Sequence, residues 1–136
     1  MIVLDASIML AWLFRESTLT SRPRIEISLA QETLLVPAHW PAEIGNALVV
    51  NVRRGRITED DLTRLIESLQ TFAVSPQAPP ETEHFETLVR ITQMYRLTFY
   101  DALYVQLALE TDSVLATLDE DMRKTAAQLG LELLPA

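Results

Sequence analysis

Apolar residues recur along this chain with two periods. Short runs with little polar interruption read as buried strands: "MIVL" leading to Asp5, "LLV" at Leu34–Val36, "FAV" at Phe72–Val74, "SVLATL" at Ser113–Leu118 and "LELL" at Leu131–Leu134. Between them, apolar positions return every three or four residues, the spacing of one helix face. "SIMLAWLF" reads as a helix or helical turn. The stretch from Arg15 to Glu32 is mixed, and Pro23 either opens a helix or breaks one. The next helix is better marked, because Pro41 suits a first helical position and Gly55 follows Arg53 and Arg54 where a helix would stop. Thr58, with Asp61 three residues on, caps another that reaches about Gln70. "SPQAPP" (Ser75–Pro80) is a connecting loop. Helices follow from about Glu81 to Tyr95, from Leu97 to Glu110, and over "DEDMRKTAAQLG", closed by Gly130.

Strands alternating with helices predict an α/β domain of three layers, a central five-stranded, mainly parallel sheet flanked by helices. A length of 136 residues fits one domain spanning 1–136. Trp12, Phe14 and Trp40 read as core. Ligands of such sheets bind beyond the carboxyl ends of the strands, so those ends are where chemistry is expected.

One helix poses a question. In "LTFYDALYVQLALE" a single carboxylate, Asp101, heads an apolar stripe made by Tyr104, Val105 and Ala108. Three other acids occupy comparable places. Asp5 ends the first strand, Glu43 opens the helix after the second, and Asp119 follows the fourth. Each has an ordinary explanation, since an acid at a helix start offsets unpaired N–H groups and the helix dipole. Jointly they are harder to explain away. In a parallel sheet Asp5, Glu43 and Asp119 fall on one edge, and "VLDAS", "PAEIGNAL" and "FYDALYV" enclose their acids in apolar residues. Carboxylates crowded into a partly buried pocket repel one another, so either some protonate or a cation compensates.

Composition narrows that cation. The chain has no cysteine, which removes disulfides and thiolate ligands and is compatible with a reducing cytoplasm. His39 and His84 lie in unrelated segments and read as structural. An oxygen-only set suits Mg²⁺ or Mn²⁺ rather than zinc. Ser7 and Thr117 each stand two residues from an acid, where a hydroxyl can hold a carboxylate or a metal-bound water or simply serve a cap or a strand. Asn46 shares a helix face with Glu43, and its amide meets either the site or a backbone group. The net charge of −8 argues against a protein that coats nucleic acid by bulk attraction. Bound cations or a local basic rim would still permit action on it, with Arg15, Arg53, Arg54, Arg56, Arg123 and Lys124 as candidates. No apolar run approaches a membrane span, and Asp5 with no basic segment before "IMLAWLF" does not suit a signal peptide.

The order "VLDAS", "PAEIGNAL", "TFYDALYVQLA", "LATLDEDM" resembles PIN-domain proteins, and especially VapC-type toxins of toxin–antitoxin pairs. The resemblance spans essentially the whole chain and is most specific around Tyr100-Asp101-Ala102. It implies a cytoplasmic, Mg²⁺- or Mn²⁺-dependent endoribonuclease holding one or two ions. The catalytic and metal-binding acids would be Asp5, Glu43 and Asp101, with Asp119 as the fourth and Asp121 its close competitor. Ser7 and Thr117 fall where the family carries hydroxyls. The implied partners are RNA, a VapB-type antitoxin and a second copy in a homodimer or larger assembly. The alternative within the fold is a catalytically silent interaction module. A phosphoacceptor receiver domain would need paired acids after the first strand and a late lysine, and a haloacid-dehalogenase-like phosphatase would need an Asp where Ser7 stands.

Overall fold

The computed structural model describes residues 1–15 and 22–136. Five strands, β1 (Ile2–Leu4), β2 (Leu34–Val36), β3 (Val74–Pro76), β4 (Val114–Ala116) and β5 (Leu133–Leu134), form one sheet in the order β3-β2-β1-β4-β5. Every pairing is parallel. β1 and β2 are buried at every position, as strands covered on both faces must be.

The helices are α1 (Ala6–Leu13), α2 (Arg22–Gln31), α3 (Trp40–Arg53), α4 (Glu59–Leu69), α5 (Phe85–Tyr95), α6 (Phe99–Thr111) and α7 (Glu120–Gln128). The chain steps from β1 outward to β2 and β3, then crosses to β4 and β5 on the other side. Right-handed crossovers therefore place α1 to α4 on one face and α5 to α7 on the opposite face. The packing agrees: α1, α3 and α4 touch one another, and α6 touches both α5 and α7. The direction of progression reverses between β1 and β4, and that reversal opens a crevice at their carboxyl ends.

Local chemistry explains most boundaries. Gly55 and Gly130 follow α3 and α7 with φ of 69° and 74°, a conformation glycine adopts without a Cβ penalty. Pro23 lies in the first turn of α2, while residues 16–21 of the mixed stretch lie outside the described residues. Trp40 is core, whereas Trp12 and Phe14 are only half-buried against it. The expected helix from Glu81 begins as a 3₁₀ turn at Thr82–His84 before α5.

The third strand departs from expectation. It is Val74–Pro76 rather than Phe72–Val74, with Leu34 opposite Val74 and Val36 opposite Pro76. β3 is an edge strand, and an edge tolerates a serine and a proline that lacks its N–H. Phe72 instead packs edge-on against Trp12 at 5.0 Å. The loop expected at Ser75 consequently starts two residues later.

Leu115, fully buried in β4, tests the packing. Leu115→Ala is expected to cost about 2–5 kcal/mol of unfolding free energy, read from urea denaturation, because its neighbours on both faces cannot close the space.

Candidate functional site

Asp5 follows β1 and is 5% exposed. Two hydroxyls hold it there. Ser7 Oγ donates to Asp5 Oδ2 at 2.6 Å, and Thr117 Oγ1 donates to the same oxygen at 2.7 Å. Their direction is fixed from behind. The backbone N–H of Leu118 donates to Ser7 Oγ and that of Asp119 to Thr117 Oγ1, each at 3.0 Å, so each hydroxyl proton turns toward Asp5. Burial nevertheless raises the Asp5 pKa, against the lowering effect of the two hydroxyls and with the help of Glu43 and Asp119.

Glu43 lies in the first turn of α3. The buried hydroxyl of Tyr104 donates to its Oε1 at 2.7 Å. His39 Nε2 stands 2.9 Å from the same oxygen, although its approach falls outside hydrogen-bond geometry. Burial pushes Glu43 upward, but His39 and Tyr104 together outweigh it and hold the carboxyl below its usual value. Tyr104 in turn is raised, first by burial and then by Asp5 and Glu43, and remains a phenol.

Asp101 answers the question its helix posed. Thr98 Oγ1 accepts from Asp101 N at 3.1 Å, so Thr98 is the cap. The same T-x-x-D pattern at Thr58 closes reciprocally, with Asp61 accepting from Thr58 N at 3.0 Å. At Thr98 the return bond is absent, and the Asp101 carboxylate lines a cavity instead. Burial, with Asp119 next, raises its pKa to about 6.

Asp119 caps α7, with Oδ1 accepting from Met122 N at 2.9 Å. It lines the same cavity of about 490 Å³ as Asp5, Ser7, Glu43, Asn46 and Asp101. Four acids from four separate segments thus meet at the crevice between β1 and β4. Three of them share one design. Asp5, Glu43 and Asp119 each use one oxygen for anchoring, and their second oxygen makes no hydrogen bond among the described residues. Asp101 differs, its carboxyl feeling only the Thr98 hydroxyl, which lowers its pKa against the effect of burial.

An oxygen-only set at which burial and like charge raise two pKa values fits a hard divalent cation. Among the described residues no three such side chains converge closely enough to ligate one ion directly. Mg²⁺ commonly keeps several waters and binds through one or two carboxylates, so direct ligation by three is not required of such a site.

Other candidates are placed elsewhere. Asp121 is exposed and does not line the cavity. Asn46 lines it one turn beyond Glu43 without an intramolecular hydrogen bond among the described residues. Thr117, buried, is committed to Asp5. Arg123 acts as a structural clamp, donating to the carbonyls of Thr117 at 2.9 Å and Pro135 at 2.7 Å. Lys124 is exposed outside the cavity lining. Arg15 follows α1, and Arg53, Arg54 and Arg56 close α3, so each lies about 15 Å or more along its helix from the acid at the helix start. His39 and Tyr104 were not foreseen as partners of Glu43. The i, i+4 spacing of His39 and Glu43 could have signalled the first; nothing local could have signalled the second.

A family model for the PIN domain matches residues 2–128, and the chain belongs to the PIN-domain family. Within it the chain is of the VapC type. A protein of Pyrobaculum aerophilum named Ribonuclease VapC3 is 31% identical over 89% of this chain and 91% of its own length. Its namesake in Mycobacterium tuberculosis is 33% identical over 90% of this chain and 85% of its own. The crystal structure of PAE2754 from Pyrobaculum aerophilum superposes with a TM-score of 0.66 at 26% identity, covering 98% of this chain and 83% of that one. No helix among the described residues is long and apolar enough to cross a membrane.

The raised Asp101 fixes the sign of a pH effect in metal-free protein. Between its unfolded value near 3.8 and its folded value of about 6, the native state keeps a proton that the unfolded chain has lost. Stability in EDTA is therefore expected to fall as pH rises through that window, with Asp5 adding in the same direction. Asp101→Asn, which mimics the protonated form, should melt higher than the wild type above pH 6 in thermal denaturation.

Proposed function

We propose that this chain is a Mg²⁺- or Mn²⁺-dependent endoribonuclease of the toxin type, acting on RNA in the cytoplasm and restrained by a small antitoxin protein. The observation that carries this reading is the meeting of Asp5, Glu43, Asp101 and Asp119, from four distant segments, in one cavity at the carboxyl edge. The relatives named as ribonucleases support it.

The residues would divide the work as follows. Asp5, Asp101 and Asp119 would hold one or two divalent ions, with Asp5 the most rigid because its hydroxyl partners are themselves fixed. Glu43, kept ionised by Tyr104 and His39, would present its second oxygen to an ion or to the attacking water. Asn46 would orient a water or a phosphate oxygen from the same helix face. A bound divalent ion supplies Lewis-acid polarisation of the phosphodiester and a more acidic water. An antitoxin segment carrying Arg or Lys would oppose the same carboxylates, because a guanidinium or ammonium offers them the charge they otherwise obtain from a cation. The chain would work as a homodimer or within a larger toxin–antitoxin assembly.

Asp101→Asn is expected to fold and to lose Mn²⁺-stimulated cleavage of total RNA, and EDTA should silence the wild type. Cleavage that survives either treatment would overturn the reading. Failure of the wild type to bind Mn²⁺ in calorimetry would favour a silent interaction module instead. Tyr104→Phe keeps the ring and removes the donor to Glu43, and should reduce metal affinity or activity roughly 10- to 100-fold, the usual effect of losing a group that orients a ligand.

A further inference from the structure

Tyr100 is the covalent neighbour of Asp101, yet it is 62% exposed, whereas Tyr104, one turn along the helix, is fully buried. The exposed ring is supported from beneath. It lies 5.2 Å from the His39 ring at a tilt of 49°, and His39 meets Tyr104 edge-on, also at 5.2 Å. Tyr104, His39 and Tyr100 thus form a column of rings that leads from Glu43 to the surface. His39 is only 15% exposed, and it is seated by the two tyrosine rings and by Glu43, whose Oε1 lies 2.9 Å from His39 Nε2. The column leaves Tyr100 fixed on one side and open on the other.

The charge around it limits what can bind there. The lining of the acidic cavity contains no Lys or Arg among the described residues. The basic cluster of Arg53, Arg54 and Arg56 lies at the opposite end of α3. A nucleotide entering that cavity therefore meets carboxylates in its lining. An aromatic face holds a nucleotide through its base without regard to that charge.

We propose that Tyr100, backed by His39, is a stacking platform for an unpaired RNA base beside the acidic cavity. The proposal rests on the ribonuclease reading and adds to it a residue that would hold the substrate. The base that lies on an exposed ring is one free of its own stack, as in loops, bulges and strand ends. Every base has a π face, so the platform by itself tolerates many sequences.

The test separates binding from cleavage. Anisotropy of a fluorescein-labelled single-stranded RNA oligonucleotide is measured with the Asp101→Asn protein, with and without a change at Tyr100. Tyr100→Ala should weaken binding roughly 5- to 150-fold, the range for loss of one stacked base. Tyr100→Phe and Tyr100→Trp should retain it, and Mn²⁺ affinity in proteins with Asp101 intact should not change. Equal RNA affinity in Tyr100→Ala would overturn the proposal. So would a loss accompanied by a change in oligomeric mass in light scattering, which would make Tyr100 a protein contact. RNA that binds in a Tyr100-dependent way but is never cut by the wild type with Mn²⁺ would remove the nuclease reading and leave the platform standing.

Discussion

Electrostatic repulsion among enclosed carboxylates is the constraint around which the carboxyl edge is built. Asp5 and Asp101 are raised by burial and by their acidic neighbours, so the arrangement opposes its own full ionisation. The chain meets this locally. Two hydroxyls, each held by a backbone N–H, serve Asp5, and a buried phenol with an adjacent imidazole serves Glu43. Each anchor engages a single carboxylate oxygen. The four residues line a common cavity, and a divalent cation there would turn the repulsion into attraction.

Topology brings those oxygens together. Asp5 leaves β1 and Asp119 follows β4, the two strands that flank the reversal of strand order. Glu43 and Asp101 enter from the first turns of α3 and α6, which lie on opposite faces of the sheet. Short strands suffice, because only their carboxyl ends carry chemistry and the helices supply most of the core. The apolar stripe behind Asp101 fits that division, since Ala102, Tyr104, Val105 and Ala108 bury the helix firmly enough to carry a charge at its head.

Much of this was legible in the chain, and the misses have definite causes. The alternation of strand and helix patterns indicated a parallel α/β sheet, and the four acids stood out because each followed a strand or opened a helix. β3 was misplaced by two residues because apolar content favoured Phe72, whereas the sheet edge accepted Ser75 and Pro76. Thr58 with Asp61 and Thr98 with Asp101 are the same pattern in sequence. Only tertiary surroundings distinguish the closed box from the carboxylate turned into a cavity. The bond from Tyr104 to Glu43 joins positions 61 residues apart, which no local period can report. The charge of Arg123 was visible in the sequence, whereas the two carbonyls it clamps were not.

The hydroxyl pair on Asp5 has a consequence for how the protein is made. Ser7 is close by in sequence, but Thr117 is 112 residues away, and it reaches Asp5 only after β4 has docked beside β1. Synthesis delivers the amino-terminal end first. From residue 43 to residue 100 a nascent chain therefore carries Asp5 and Glu43 with neither Asp101 nor the far hydroxyl in place. The centre assembles only when the last third of the protein has emerged. Any hydrolytic power of this edge is thus withheld from the ribosome-bound fragment by geometry alone.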